Sequence, residues 1–573
     1  MRPQLLALRA TNQYRTRDIM AYLGLRYYFA NLCAGRDRWA EEVSLHLVMS
    51  RSRSAYFQSL HFKDIRTDGQ VGYRDIFLPG PNESFAEAAL LAECSQHAAF
   101  RSPDFVFSYR LAEGKDSQGV YKPYFSGLQE RHKKIAAVCK ADAGQVVRYT
   151  DIKRFYPNIS GELAIRAWLK ACDVAQMPAL FRELGMKLLA DHALVCQNAD
   201  RGKGLLTGPM FSHLIANLVL RDVDHAMSAA FPSRYFRYVD DVVLVGPPPE
   251  VAMGRAQLSA LLSELGLDLH DVDASKDFEL AAGDWLAGED DFGGNDSQGW
   301  MFFARDLKQF LVSQASSRAG LAARFAEEGF RIPLPDYSVE VGDASYQDRF
   351  LDQLRRYPWL LEKIFRQTTP SMLLFSAQAL RVEYTERLLH ILEVGPKLDG
   401  YARKRAIPKI RYFAGRLLYL ARTEDLPLIA ERLRQYPEFA MLAEIIHAVG
   451  TRDITHLLRM GSNAAQSAAQ ILKLIPGEIT CRIESWGSAE RQGLAILRAN
   501  GISVAGPVDD ELNRFAMWKE RGHELMKSDD PFIQEMACLH GVSEHSRHSH
   551  ILETALDRGE ELAFDATTPI DTY

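Results

Sequence analysis

Two adjacent aspartates sit in the middle of an apolar run, Phe236-Arg237-Tyr238-Val239-Asp240-Asp241-Val242-Val243-Leu244-Val245-Gly246. The alternation on either side predicts strand, tight turn, strand, with the acids at the tip. Two carboxylates roughly 4 Å apart repel by about 4 kcal/mol at an effective dielectric near 20. An apolar hairpin tolerates that cost where positive charge gathers at its tip, and a divalent cation is the usual answer. The feature points to chemistry on phosphates.

An Asp-Asp pair alone is most often a solvated turn; its company distinguishes this one. Upstream, Val146-Val147-Arg148-Tyr149-Thr150-Asp151 reads as a strand ending on an acid, followed by Ile152-Lys153-Arg154-Phe155-Tyr156-Pro157-Asn158 and a helical stretch from Gly161 to Cys172. Between the acidic sites, Gly204-Leu205-Leu206-Thr207-Gly208-Pro209-Met210-Phe211-Ser212-His213 forms a Gly/Pro loop that feeds an apolar helix over Leu214 to Met227. Leu265-Gly266-Leu267-Asp268-Leu269 and Lys276 follow.

In this order the pieces resemble the palm of reverse transcriptases. Asp151 matches motif A, Gly204 to Asn217 match motif B, Tyr238-Val239-Asp240-Asp241 match the Tyr-x-Asp-Asp box of motif C, and Leu265 to Lys276 match motif D more loosely. Motif B departs from the common Pro-Gln-Gly and Ser-Pro pattern, with Leu206-Thr207-Gly208 and Ser212-His213 in those places. That variant looks like the abortive-infection and other defence-associated reverse transcriptases of bacteria. The resemblance implies an α+β right-hand polymerase, with palm and fingers over 101–310, and an all-α HEAT-like repeat domain over 311–573.

Nucleotidyl transfer is an in-line displacement at phosphorus, in which two Mg²⁺ ions serve the attacking and leaving oxygens. Magnesium takes hard oxygen ligands. The resemblance assigns Asp151, Asp240 and Asp241 to two Mg²⁺ ions, with Mn²⁺ as a substitute and the Ile152 carbonyl as a further oxygen. It makes Tyr156 the candidate gate that excludes a ribose 2′-hydroxyl; a core aromatic is the alternative. Lys276 becomes a proton donor to leaving pyrophosphate, or else a solvated lysine. Lys153, Phe155, Thr207, Gly208, Pro209 and Tyr238 fall at substrate-binding positions, and Arg110 is the preferred phosphate contact.

The chain of 573 residues carries a net charge of −6, so any nucleic-acid surface must be local. Residues 101–154 provide one, with eleven Lys/Arg against six acids. Tyr109, Tyr121, Tyr124 and Phe125 are interleaved, a mix suited to phosphates and stacked bases. The seven cysteines form no Cys-x-x-Cys pair, which fits a reducing compartment. No apolar stretch approaches the length of a membrane span; a cytoplasmic location with no membrane partner is expected.

Residues 1–100 read as a mostly helical amino-terminal extension, with helices over Asp18 to Leu32 and Ser84 to Phe100. Ser84 and Glu87 stand at capping-box spacing. Gly283 to Gly299 reads as an acidic solvated loop rather than a calcium loop, and Trp300-Met301-Phe302-Phe303 as a strand. Beyond residue 310 helical periods dominate: Phe413, Leu417 and Leu420 share a face, as do Leu426, Ile429 and Leu433. Gly415 and Gly450 are expected to break or end helices, and Asp530-Pro531 to start one. His545, His548 and His550 read as a polar loop, and the tail from Asp565 as disordered.

The expected partners are dNTPs, an RNA template or non-coding RNA, a DNA product, a second reverse transcriptase as in type 3 defence systems, and further copies of the chain. The resemblance to the abortive-infection enzymes leaves tyrosine priming and template-free synthesis open. The alternatives are a conventional mobile-element reverse transcriptase and a non-catalytic RNA-binding scaffold.

Overall fold

The β-branched and aromatic residues around the acids do form strands. In a computed structural model, β3 (Val146–Asp151), β4 (Tyr235–Tyr238), β5 (Asp241–Gly246) and β6 (Phe278–Ala281) make an antiparallel sheet in the order β4-β5-β3-β6. The model describes Ala10 and residues 38–536, apart from 53–54, 67, 113–118, 123, 143, 200–202, 273–275, 287–294, 333, 335–367, 395–399 and 507–529. The protein is mixed α+β, mostly helical (64%), with small antiparallel sheets. The expected helix over Asp18 to Leu32, the His545/His548/His550 cluster and the tail lie outside the described residues.

Ahead of that sheet, α1 (Ser44–Ser50) leads to a long hairpin, β1 (Tyr56–Ile65) and β2 (Val71–Pro79), and then α2 (Pro81–Cys94). The mostly helical reading of residues 1–100 is therefore corrected in its middle. Gly80 precedes α2, and Pro81 occupies the first turn, where a missing N–H costs nothing. Ser84 lies inside that helix rather than capping it, and the Glu87 carboxylate accepts from the Tyr56 hydroxyl (2.8 Å) and the Phe211 N–H (3.0 Å). A tertiary partner has displaced the local capping box.

Around the sheet stand α3 (Tyr124–Ala141), α4 (Gly161–Ala175), α5 (Ala179–Ala199), α6 (Met210–Val219), α7 (Arg221–Ala230) and α8 (Pro248–Glu264). Ser160 caps α4, its Oγ accepting from the Leu163 N–H at 3.1 Å. The helix expected over Leu214 to Met227 starts earlier and is divided at Leu220 into α6 and α7. All ten residues of α6 are buried. On one face of the sheet α8 packs so closely that a Cβ on Gly254 would lie 3.2 Å from Leu244 of β5 and 2.3 Å from the ring of Phe231, just past α7. On the other face the Arg131 guanidinium of α3 covers the Tyr238 ring at 5.4 Å. The short α9 (Ala282–Leu286) sends Trp285 Nε1 to the Tyr149 hydroxyl at 2.8 Å.

The region expected as an acidic loop is thus helical at its start, and it is helical again from Asn295, where α10 (Asn295–Ser313) begins. Trp300 to Phe303 belong to α10, not to a strand. Trp300, Phe303, Ala304, Leu307, Phe310 and Leu311 are buried with the three- and four-residue spacing of a helix face, while Phe302 is 53% exposed. Four apolar residues in a row are too few to separate the two periods.

The remaining helices are α11 (Arg318–Glu327), α12 (Pro370–Val394), α13 (Gly400–Leu420), α14 (Leu426–Arg434), α15 (Ala440–Thr451), α16 (Thr455–Arg459), α17 (Ser462–Leu472) and α18 (Ser488–Ala499), plus a two-residue parallel pair, Ile479–Thr480 with Val504–Ala505. Gly415 lies inside α13 and does not end it, whereas Gly450 sits one residue before the end of α15. Asp530 caps its helical turn, accepting from the Phe532 N–H at 2.9 Å. Leu373, Ala377, Leu380, Tyr384, Leu388 and Leu392 form the buried stripe of α12. These helices share one apolar core, and the sheet with its helices forms another. The β1–β2 hairpin serves both, with Phe77 packed in the sheet's core and Ile76 and Leu78 in the helical one. Successive strand residues point to opposite faces, so one ribbon can join two cores.

Candidate active site

The hairpin tip brings the three acids to one end of the sheet. Asp151 pairs across the ladder with Asp241. The Ile152 N–H donates to the Asp240 carbonyl at 3.1 Å. That bond makes Asp151 and Asp241 a non-hydrogen-bonded pair, the closer kind, with Cα atoms about 4.5 Å apart and side chains on one face. The carbonyl of Ile152 points to the same side as its N–H, toward the tip.

Asp151 is 5% exposed. Its Oδ2 accepts from Lys276 Nζ at 2.7 Å, and its Oδ1 lies 3.5 Å from His270 Nε2. Burial works against the Lys276 ammonium, but its hydrogen bond to Asp151 and the charges of Asp151, Asp241 and Asp240 outweigh that and hold its pKa above the usual lysine value. Asp240 is under the opposite stress. Desolvation, then repulsion by Asp241 and Asp151, pushes its carboxyl up to about 8, only partly relieved by Lys276. Among the described residues no three acid, His or Cys side chains already converge as a metal cage. Asp151 faces Lys276 and His270 instead.

Lys276 owes its place to its neighbour. Asp277 is fully buried under the opposite face of the sheet, accepting from Arg148 Nε (2.7 Å), Thr150 Oγ1 (3.2 Å) and Arg255 Nε (2.5 Å). Strand alternation then turns Lys276 toward Asp151. Sequence reasoning missed both His270 and Asp277. The only local sign of Asp277 was an acid next to Phe278 in a strand-forming run.

The remaining candidates divide. Tyr156 is buried, and its hydroxyl lies 2.7 Å from His213 Nδ1. Burial first and the Asp240 charge second raise its pKa well above the ordinary tyrosine value, which puts the ring within electrostatic reach of the acids. His213 stacks on Tyr109, with centroids 3.7 Å apart, and burial lowers its pKa to about 3, so it is a neutral partner. Phe155 is core, 2% exposed, and does not line an open surface. Lys153 reaches Asp271 Oδ2 at 3.0 Å. Tyr238 is buried beneath Arg131 on the same face as Asp241.

The Thr207-Gly208-Pro209 loop is bolted to the hairpin, with the Phe77 N–H donating to the Thr207 carbonyl at 2.8 Å. Gly208 has φ +122°, and a Cβ there would meet the Phe77 carbonyl at 2.5 Å, so only glycine fits. Pro209 caps α6.

Arg110 does not meet the expectation of a free phosphate contact. Its guanidinium is taken by Glu130 Oε2 (2.7 Å), the Val106 carbonyl (2.6 Å) and the Asp104 carbonyl (3.0 Å). Arg131 is the basic residue of that segment that reaches the acids' face of the sheet, and its Nη1 is buried with no hydrogen-bond partner among the described residues. No helix among the described residues is long and apolar enough to cross a membrane. No protein-family model matches the chain, and no curated protein matches it significantly.

Proposed function

We propose that the protein is a nucleotidyltransferase, a DNA polymerase of the reverse-transcriptase kind with a right-hand palm at the β4-β5-β3-β6 sheet. The observation that carries this reading is the ladder pairing of Asp151 with Asp241 beside a half-buried Asp240 whose carboxyl is pushed up to about 8. Three acids gathered at one strand end at such electrostatic cost form a site in want of cations. The donors are hard oxygens, which suits Mg²⁺ or Mn²⁺. Asp151, Asp240, Asp241 and the Ile152 carbonyl would hold two ions, with Lys276 competing for Asp151. When bound, the ions supply Lewis acidity to the attacking hydroxyl and the departing pyrophosphate.

The protein's own groups do the rest. Lys276, kept protonated by its acidic neighbours, holds the proton that the leaving pyrophosphate takes up. Tyr156, buried and fixed by His213, would exclude a 2′-hydroxyl if the bound nucleotide reached its ring. Arg131, stacked on Tyr238 with its Nη1 lacking a hydrogen-bond partner among the described residues, would turn that group to a phosphate. The Thr207-Gly208-Pro209 loop, fixed by β2, shapes the nucleotide's surroundings.

The departure at Thr207, and the helical region that packs as the pairs α12/α13, α14/α15 and α17/α18 in the manner of HEAT repeats, support a defence-associated type. Synthesis primed on a protein tyrosine, independence from an ordinary template, a bound RNA, a second reverse transcriptase and self-association belong to this proposal. Purified protein incubated with labelled dNTPs and Mg²⁺, with and without added RNA, is expected to incorporate label, and Asp240→Asn is expected to stop it. Failure of folded wild-type protein in every condition defeats the polymerase reading and favours an RNA-binding scaffold. Sequencing of copurified nucleic acid then decides on template and primer.

A further inference from the structure

Val239, at the hairpin tip, has φ +55°. Positive φ at the first of two central residues is the pattern of a type II′ turn, in which glycine is usual. A β-branched residue persists there only where its surroundings over-determine the conformation.

Both polar groups of Val239 are engaged. Its N–H donates to Ser108 Oγ at 2.7 Å, and its carbonyl accepts from Arg237 Nη1 at 2.8 Å. Arg237 is 1% exposed, a full guanidinium inside the protein. Its Nε and Nη2 each lie 2.7 Å from one oxygen of Asp224, and its Nη1 also reaches Asn217 Oδ1 at 3.1 Å. Asn217 Nδ2 in turn donates to the Ser108 carbonyl at 3.1 Å. The backbone of Ser108 is fixed as well, because Phe105 to Phe107 run beside β4, with Arg237 N–H on the Phe105 carbonyl and Phe107 N–H on the Arg237 carbonyl, each 2.9 Å. The result is a closed ring through the Phe105–Ser108 segment, α6, α7 and β4, with the strained peptide as its last link.

We propose that Ser108, Asn217 and Arg237 are positioning residues that force the tip into this conformation, and that Asp224 neutralises the guanidinium so that the ring can be buried. None of them touches reacting atoms. Held this way, the Asp240 carbonyl stays on the Ile152 N–H, and Asp241 stays opposite Asp151 in the ladder. The inference rests on the polymerase reading for its kinetic part and on geometry alone for its cation-binding part.

The test uses full-length protein with Ser108→Ala, Val239→Gly and the double variant. Mn²⁺ affinity is measured by electron paramagnetic resonance, and kcat and KM for dNTP by label incorporation. Ser108→Ala is expected to weaken Mn²⁺ binding and lower kcat by about 10–100-fold, the usual cost of losing an outer support of a metal site, with little change in KM. Val239→Gly is expected to restore both to within about threefold of wild type, since glycine takes positive φ without help. A merely structural role predicts a lower melting temperature with wild-type Mn²⁺ affinity and kcat, and that result overturns the proposal; so does a loss that Val239→Gly leaves uncorrected. If Ser108→Ala does not fold, Ser108→Cys, a weak acceptor of similar size, reads the same contact. Should wild-type protein make no polymer, the polymerase reading fails, and the Mn²⁺ measurements still decide the ring.

Discussion

The sheet region and the helical region are held together by different means. Beneath and beside the sheet, buried acids are met by arginines: Asp224 by Arg237, and Asp277 by both Arg148 and Arg255. The helical region is packed mostly by Leu, Ile, Ala and aromatic rings, as in Ala464, Ala465, Ala468 and Ala469 of α17 and Trp300 and Phe310 of α10, and its buried arginines Arg331 and Arg416 meet carbonyls and rings rather than buried acids. Several of its buried polar side chains face the hairpin instead of their own core: Ser462 Oγ lies 2.6 Å from Ser59 Oγ, Asn463 accepts from the Phe62 N–H (2.9 Å), and Gln492 accepts from the Leu60 N–H (3.0 Å). Apolar packing is non-directional and tolerates small shifts, whereas a hydrogen-bonded ion pair fixes distance and angle. Directional bonds bind elements to one another around the sheet and at the joint between the two cores, whereas in the helical region they serve single arginines, Arg331 on three carbonyls and Arg434 on Glu444.

The largest expected effect separates chemistry from stability. Asp240→Asn should reduce dNTP incorporation by at least about 10²-fold, as loss of a charged group at a transition state does. Its melting temperature in EDTA should not fall, because the wild-type carboxylate is costly to ionise there. A matching loss of stability would make Asp240 a structural acid and weaken the contrast.

Next comes sensitivity to conservative change. Arg237→Met should cost about 3–5 kcal/mol in urea unfolding, because it strands the Asp224 charge in the interior. Leu418→Ile, a volume-conserving swap in the fully buried part of α13, should cost less than about 1.5 kcal/mol. Equal costs would erase the distinction drawn here. At the joint, Gln492→Ala should cost about 1–3 kcal/mol by leaving the Leu60 N–H and the Gln58 carbonyl of the hairpin without their partner. A change below a few tenths would show that the two cores are joined by apolar contact alone.

The smallest effect is the pH dependence without divalent ions. Asp240 is pushed up to about 8 and Glu83 to about 7, the latter chiefly by burial. A raised carboxyl gives stability at low pH that is lost as pH rises through the folded value. Burial lowers both His192 and His213 to about 3, and their stability is present above the ordinary histidine range and lost as pH falls toward that value. The opposing slopes nearly cancel between about 4.5 and 6.5. Thermal melts in EDTA should therefore show a plateau there, with decline on both sides, by at most about 1.4 kcal/mol per pH unit per group. Asp240→Asn should remove the decline above about pH 7 and turn the plateau into a rise with pH, because a single raised carboxyl, Glu83, then opposes two histidines.

Much of the site was legible residue by residue. Alternation around Asp240 and Asp241 gave the hairpin with no help from the rest of the chain. The end of the strand at Asp151 was equally local. Arg237 could not be read. It looks like a strand residue with a polar side, and its partner Asp224 lies on a separate helix. Arg110 failed for the same reason in reverse: its charge was visible, but Glu130 and two carbonyls that consume it were not. Trp300 to Phe303 misled because helix and strand periods agree over four residues.

The amino-acid sequence by itself determined the strands that flank the acids, the turn that carries two of them, several helix faces and the motif order, since each follows from periodicity and turn chemistry within a short window. Only the tertiary structure decided which charges are free. Pairing Lys276 with Asp151, locking Arg110 away, leaving Arg131 Nη1 unsatisfied and closing a ring on Val239 all depend on residues tens of positions apart meeting in a medium of low dielectric. There an ion pair or an orphaned donor acquires its energy from burial, a quantity that no local pattern carries.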